Sequence, residues 1–580
     1  MYRLCHCSLP LLLPSTCVRL GAPKCDISPC CFNNASSRRK AGIFRQCTNS
    51  QRSIWTHDFV ESLQGDYKRT YVERVEKLNE EVKDMLIDET VGSLTKLELI
   101  DDLQRLGIGY HFEKEIKRTL DILPLYKDTF FEDSLHFRAL YFRLLRQHGY
   151  KASQDVLKDF ISKTGRFRQD LCEDVKGMLS LYEASHLCLE GENILHDARD
   201  FTVKHLKLLN DNMDPRITDE VICALELPLH WKLPRLEARD YIDVYQRKQK
   251  MNPVLLELAQ LDFNVLQAIH REELKNMSRW WKHLGLSDKL NFARDRLVEG
   301  FLWSVGLAYK PEHQRCREWI AKTVSFIITL DDIYDIHGSL HELELLTTAI
   351  ERWDLREIEQ LPDYMRICYL ALFNTTNDIA YTKYKEHGFD ILPHLKKVWT
   401  EFCKAMLLEA KWSKMQYTPL LTEYLENAWV SSSTTVVLVC AYFATEQPIT
   451  DDVLEALENN PDIIYCSAMV LRLCNDLASS SAGIDRDCGP SAIQCYMKEA
   501  NTSEQDARDK VRGLIFKMWK KLNESIYDSP FEQSFVDIAM NHARTAHSIY
   551  RLGDGISFQD LEASKSVARL LIKPINIQKS

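Results

Sequence analysis

From Trp55 to about Lys250, apolar residues return every three or four positions with polar residues between them. That spacing lays an apolar stripe along an α-helix. The segment LTKLELIDDLQRLGIGYHFEKEIKRTLDIL, residues 94–123, is typical, and the region predicts helix after helix without repeats or low-complexity linkers. Its acidic pair Asp101–Asp102 is followed at the next turn by Gln104, Arg105 and Leu106, and reads as a solvated helix face. Met251-Asn252-Pro253 interrupts the pattern, and a second helical region continues to the C-terminus. The expectation is an all-α fold in two helical domains, residues 47–252 and 253–580, behind a different leading segment, residues 1–46.

Composition sharpens this. Glycine is only 20 of 580 residues, which favours helices over sheet. The net charge of −10 argues against a nucleic-acid binder, which would need a basic face. Residues 1–46 hold seven Lys or Arg against one acid, Asp26, with several Ser and Pro and no helical period, as in an organelle transit peptide. A secretory signal built on Leu11, Leu12 and Leu13 is the competing reading, but Pro10 and Pro14 break that run. Seven of the 18 cysteines lie within residues 1–47; the other 11 are scattered without a CxxC pair and read as reduced core residues. No stretch of 18 uninterrupted apolar residues is present, so no membrane span is expected.

Three helices of the second region carry candidate chemistry. In WIAKTVSFIITLDDIYDIHG the apolar run Val324–Leu330 ends in Asp331, Asp332 and Asp335. Asp331 and Asp335, one turn apart, can share oxygen-ligated cations such as magnesium, whose remaining positions bind phosphates. In MVLRLCNDLASSSAG, Asn475 and Ser479 stand at i and i+4 with Asp476 between, and Arg472 shares their face. In NFARDRLVEGFLW, Arg294 and Arg296 offer forks suited to a diphosphate. Each has a plainer reading: an acidic helix end, an Asn–Ser surface, a structural ion pair. Their joint occurrence, in this order and each at an apolar helix end, favours metal-assisted diphosphate chemistry.

RDR at 294–296, DDIYD at 331–335 and NDLAS at 475–479 resemble the signature elements of class I plant terpene synthases. RWWKHLGLSDKLNFARDRLVEGFLW, ELELLTTAIERWD, LPDYMRICYLALFNTT and SAIQCYMKE extend the likeness over nearly the whole chain, and RQCTNSQRSIW at 45–55 is similar to the tandem-arginine element of the plastid monoterpene branch. The resemblance implies a plastid enzyme whose C-terminal bundle opens into an apolar pocket and ionises geranyl diphosphate to an acyclic or cyclic C10 product. Asp331, Asp335, Asn475 and Ser479 would ligate magnesium, or manganese in its place. Arg294 and Arg472 would grip the diphosphate, Asp332 would complete the catalytic set, and Trp303 would be a wall against the cation. The protein would act as a monomer or homodimer, with neither nucleic acid nor membrane as partner.

Three positions depart from that pattern. Gly483 stands where a Glu one turn beyond Ser479 is usual, with Asp485 out of register; Ser491 follows Pro490 where a Lys is usual nearby; Gln46 replaces the second arginine. Each loses a charge or ligand, which keeps open a non-catalytic relative acting by binding or pairing. A chain-elongating prenyltransferase is disfavoured, since its second motif would be another DDxxD. Gln46 also implies a looser closure and a larger share of acyclic products.

Overall fold

Helices organise the whole computed structural model, which describes residues 53–63, 69–122, 134–208, 215–481, 489–551 and 561–577. Among these residues the extended pairing is confined to an isolated bridge between Ile161 and Phe167. Gln46, Gly483, Asp485 and the leading segment lie outside them. In the first region, α1 (Ser93–Arg105), α2 (Leu135–Gln147) and α3 (Pro234–Tyr245) pack around Leu97, Ile100, Leu140 and Ile242.

The pattern break at Met251–Pro253 is a helix start. In α4 (Pro253–Leu284) the Asn252 side chain accepts the Val254 N–H at 2.9 Å, Pro253 takes the first turn, and Gly285 closes the helix at φ +66°. Beyond it come α5 (Leu297–Leu307), α6 (Gln314–Asp332), α7 (Leu392–Lys414), α8 (Leu421–Ser431), α9 (Thr434–Ala444), α10 (Asp462–Ser481), α11 (Glu504–Ser525) and α12 (Gln533–Tyr550). α5 and α9 are buried along their full length, so they form the inside of the bundle, with α10 packed on α11 and α12. One apolar core runs through both regions, from Leu97 and Phe112 to Trp519 and Ile575.

Leu421–Ala444 passes for a membrane span by length and composition, but 78% of its most apolar 18-residue window is buried in the bundle. It is also two helices, α8 and α9, parted at Ser433 with φ +65°.

Two sequence expectations need correcting. Asp101 and Asp102 do not form a solvated face: Arg143 of α2 donates to Asp101 at 2.7 Å, and Tyr241 of α3 donates to Asp102 at 2.6 Å. α1 is flanked by two helices bearing donors that no local spacing could announce. Of the ten cysteines described, all free, eight are buried as expected, but Cys223 is exposed and Cys172 is partly so.

Candidate active site

The aspartate motif is not plain α-helix. α6 ends at Asp332, and Ile333–His337 forms a π turn closed by the Gly338 N–H on the Ile333 carbonyl at 2.8 Å. Such i→i+5 turns recur at functional sites. The wider turn is sealed by close packing, because a Cβ on Gly338 would lie 2.5 Å from Leu343 Cδ2 and 2.9 Å from the Ile333 oxygen. Gly338→Ala should therefore cost about 1–3 kcal/mol through overpacking and distort the motif. Thermal unfolding and rate measurements check this, and an alanine variant with wild-type stability would show that the turn is soft.

The three aspartates have different surroundings. Asp332 is 1% exposed at its side chain and takes the Arg294 backbone N–H at 2.7 Å and its Nε–H at 2.8 Å. Burial pushes its carboxyl up to about 6, against the pull of Arg294. Asp331 meets the Arg294 Nη2 at 2.5 Å and remains partly open. Asp335 has no side-chain hydrogen-bond partner among the described residues. Its surface is open although protein surrounds it, the signature of a concave wall. Desolvation, then Asp331 and Glu409, hold its carboxyl well above the usual range, and Arg294 and Arg472 oppose them.

That field brings the two motifs together. Glu409 of α7 and Arg472 of α10 both act on Asp335, so the end of α6 lies within electrostatic reach of Arg472, one turn before Asn475 on α10. Arg472 donates its Nε–H to the Tyr424 hydroxyl at 2.6 Å and lies 3.2 Å from Asp476 and 3.4 Å from Glu409. Burial alone would depress Arg472, but the carboxylates of Glu409 and Asp476 and the hydrogen bond to Tyr424 raise it well above its ordinary value. Asp476 is enclosed rather than aimed outward: it accepts from Tyr424 at 2.9 Å and from the Ala492 N–H at 2.8 Å. Ser491 caps the helix that begins at Ala492, where the resemblance led one to look for a lysine.

Asn475 has no side-chain hydrogen-bond partner among the described residues. Ser479 donates to the Asn475 carbonyl at 3.0 Å, which leaves its oxygen lone pairs available. Among the described residues no three His, Cys, Asp or Glu converge as a ready metal cage, so a cation here would draw on these neutral oxygens as well. Among the described residues, Asp335, which lacks a donor, and Asp331, which has only Arg294, together with the amide oxygen of Asn475 and the hydroxyl of Ser479, fit hard divalent cations.

Arg296 opens α5, with Arg294 two residues upstream held against α6. Trp303, two turns on, is 4% exposed and lies edge-on to His542 and Tyr550, with ring centroids 5.6 and 6.3 Å away. Glu409 and Tyr424 were not singled out from sequence. Glu409 did leave a trace, as an acid on the apolar face that carries Phe402, Met406 and Ala410.

Comparison with known proteins identifies the family. Residues 282–521 match the terpene synthase family metal binding domain, and residues 54–225 the terpene synthase N-terminal domain. The chain is 48% identical over 578 residues to (-)-alpha-terpineol synthase of Vitis vinifera, covering 98% of this chain and 97% of that protein. It is 46% identical to the chloroplastic myrcene synthase of Quercus ilex, covering 98% and 96%. A crystal structure of limonene synthase with 2-fluorolinalyl diphosphate aligns with a TM-score of 0.89 at 39% identity, over 92% of this chain and 100% of that one. Isoprene synthase from grey poplar, in complex with three Mg2+ ions and dimethylallyl-S-thiolodiphosphate, aligns at 0.83 with 45% identity, over 90% and 99%. Matched in both regions and nearly end to end, the chain belongs to the terpene synthase family.

Proposed function

We propose that the chain is a plastid monoterpene synthase that ionises geranyl diphosphate with magnesium and steers the carbocation to a C10 terpene or terpene alcohol. One observation carries the reading: Asp335, whose carboxyl has no hydrogen-bond partner among the described residues, lies in the combined field of Asp331 and Glu409 and of Arg294 and Arg472, which come from separate segments. A diphosphate bridged to protein by cations needs that alternation of acids and guanidinium groups. The relatives support the substrate class, since limonene synthase was solved with a fluorinated C10 diphosphate and isoprene synthase with a diphosphate analogue and three Mg2+ ions.

Asp331, Asp335, Asn475 and Ser479 would hold the metal, which when bound supplies Lewis-acid charge to the departing diphosphate oxygens. Asp332 would act indirectly, fixing Arg294 by two contacts so that its guanidinium stays beside Asp331. Glu409 and Tyr424 do the same for Arg472. An apolar lining would keep water from the cation, and the Trp303 ring would stabilise it by about 0.5–2 kcal/mol. Plastid import is supported by the basic leading segment and by the chloroplastic name of the Quercus ilex relative. The division into residues 47–252 and 253–580 follows the helix break at Asn252.

Incubation with geranyl diphosphate and magnesium should release diphosphate and give C10 products by gas chromatography, and EDTA should stop both. Absence of products from folded protein at saturating magnesium would replace this reading with the non-catalytic one.

A further inference from the structure

The back of α10 rests on two histidines of α12. Ser467 and Cys474 lie seven residues apart, two turns along one face of α10. The Ser467 hydroxyl donates to the Ala539 carbonyl at 3.0 Å and sits 3.2 Å from His542 Nδ1. Cys474 Sγ lies 3.6 and 4.0 Å from Nδ1 and Nε2 of His547, so the thiol packs against the ring rather than in line with one nitrogen. Two contacts on one face fix the rotation of a helix about its axis. Asn475 follows Cys474 by about 100° of that rotation, so a slip at the thiol re-aims the amide.

His547 is itself set from outside α10. Trp519 donates its indole N–H to Nε2 at 2.9 Å, and Trp231 stacks on the imidazole with centroids 4.9 Å apart and planes 10° from parallel. Burial drives the imidazole pKa down to about 3, so the ring is neutral at physiological pH and Nε2 accepts. Trp231 belongs to the Leu229–Trp231 turn, between the two matched domains. That turn is anchored to α12 and α11: Arg544 donates to the His230 carbonyl at 2.9 Å, and His230 Nε2 lies 2.8 Å from Asn523 Oδ1. The aromatic stack thus joins the first helical region to the residue beside Asn475.

We propose that Trp231 and His547 are positioning residues for the second metal motif: the Leu229–Trp231 turn, through the His547 ring and the Cys474 thiol, sets the rotation of α10 and so the aim of Asn475 and Ser479. The inference rests on reading those two residues as ligands. Because it concerns binding, it is testable without turnover, by following the full chain's thermal unfolding as Mg2+ is titrated at fixed inorganic diphosphate. In Trp231→Ala the Mg2+ concentration giving half of the stabilising shift should rise about 10-fold, the low end of the effect of removing groups that support metal ligands. Trp231→Phe, which keeps a stacked ring, should stay within about twofold of wild type. If Trp231→Ala fails to fold, His547→Asn takes its place with the same expected rise. A variant with a lowered melting temperature but a wild-type Mg2+ midpoint would overturn the proposal and leave the stack as packing alone. A wild-type chain that gives no shift would instead sink the ligand reading beneath it.

Discussion

Asp335→Ala is expected to lower turnover of geranyl diphosphate by about 10²- to 10³-fold while the melting temperature stays level or rises. The two outcomes share one cause. The Asp335 carboxyl has no hydrogen-bond partner among the described residues, and burial, Asp331 and Glu409 hold its pKa above the usual range. A carboxyl whose folded pKa is raised favours the fold below its ordinary pKa and works against it as pH rises through the folded value, so ionising it costs the apoprotein stability. Removing it relieves repulsion while taking away the charge that catalysis uses. Asp332→Ala should behave differently and lose stability as well, because two Arg294 donors would lose their acceptor. Steady-state rates and thermal unfolding of both variants decide the matter. An Asp335→Ala enzyme retaining more than about a tenth of the wild-type rate would remove this residue from the ligand set.

Glu273→Ala should produce the largest loss of stability, about 3–5 kcal/mol, through a group far from the aspartates in sequence. Arg317 on α6 is fully buried and pairs with Glu273 of α4 through two contacts of 2.7 Å, while Nη1 donates to the Ala308 carbonyl at 2.6 Å. Deleting the carboxylate leaves a guanidinium buried with its charge uncompensated, and the penalty exceeds the net contribution of the pair itself. The denaturant midpoint is the measurement. A shift equivalent to less than about 1 kcal/mol, the scale of an exposed ion pair, would mean that water reaches the guanidinium.

Much of the site was legible because its residues cluster locally. The apolar run into Asp331–Asp335, the Asn475–Ser479 pair and the Arg294 fork each sit at a helix end, where periodicity marks them. The partners that aim them were hidden by sequence distance. Glu409 and Tyr424 precede Arg472 by 63 and 48 residues, and only the packing of α7 and α8 against α10 brings them to it. The π turn was equally silent, because DDIYD reads as i and i+4 on an ordinary helix, and nothing in that spacing marks the wider turn that the Gly338 N–H closes on the Ile333 carbonyl. Asp101 and Asp102 show the converse error, where a polar pair looked solvated until the donors of two neighbouring helices were in place.

Arg317 has a mechanical consequence for α6. Near the start of the helix its guanidinium locks the backbone to Glu273 and to the Ala308 and Lys310 carbonyls. Asp331 lies 14 residues further on, about 21 Å along the axis, where the helix gives way to the π turn. α6 is thus tied at both ends, to Glu273 at its root and to Arg294 at its tip. Rotation of the helix about its axis would break the buried root pair, so Arg317 holds the register in which Asp331 and Asp332 reach Arg294.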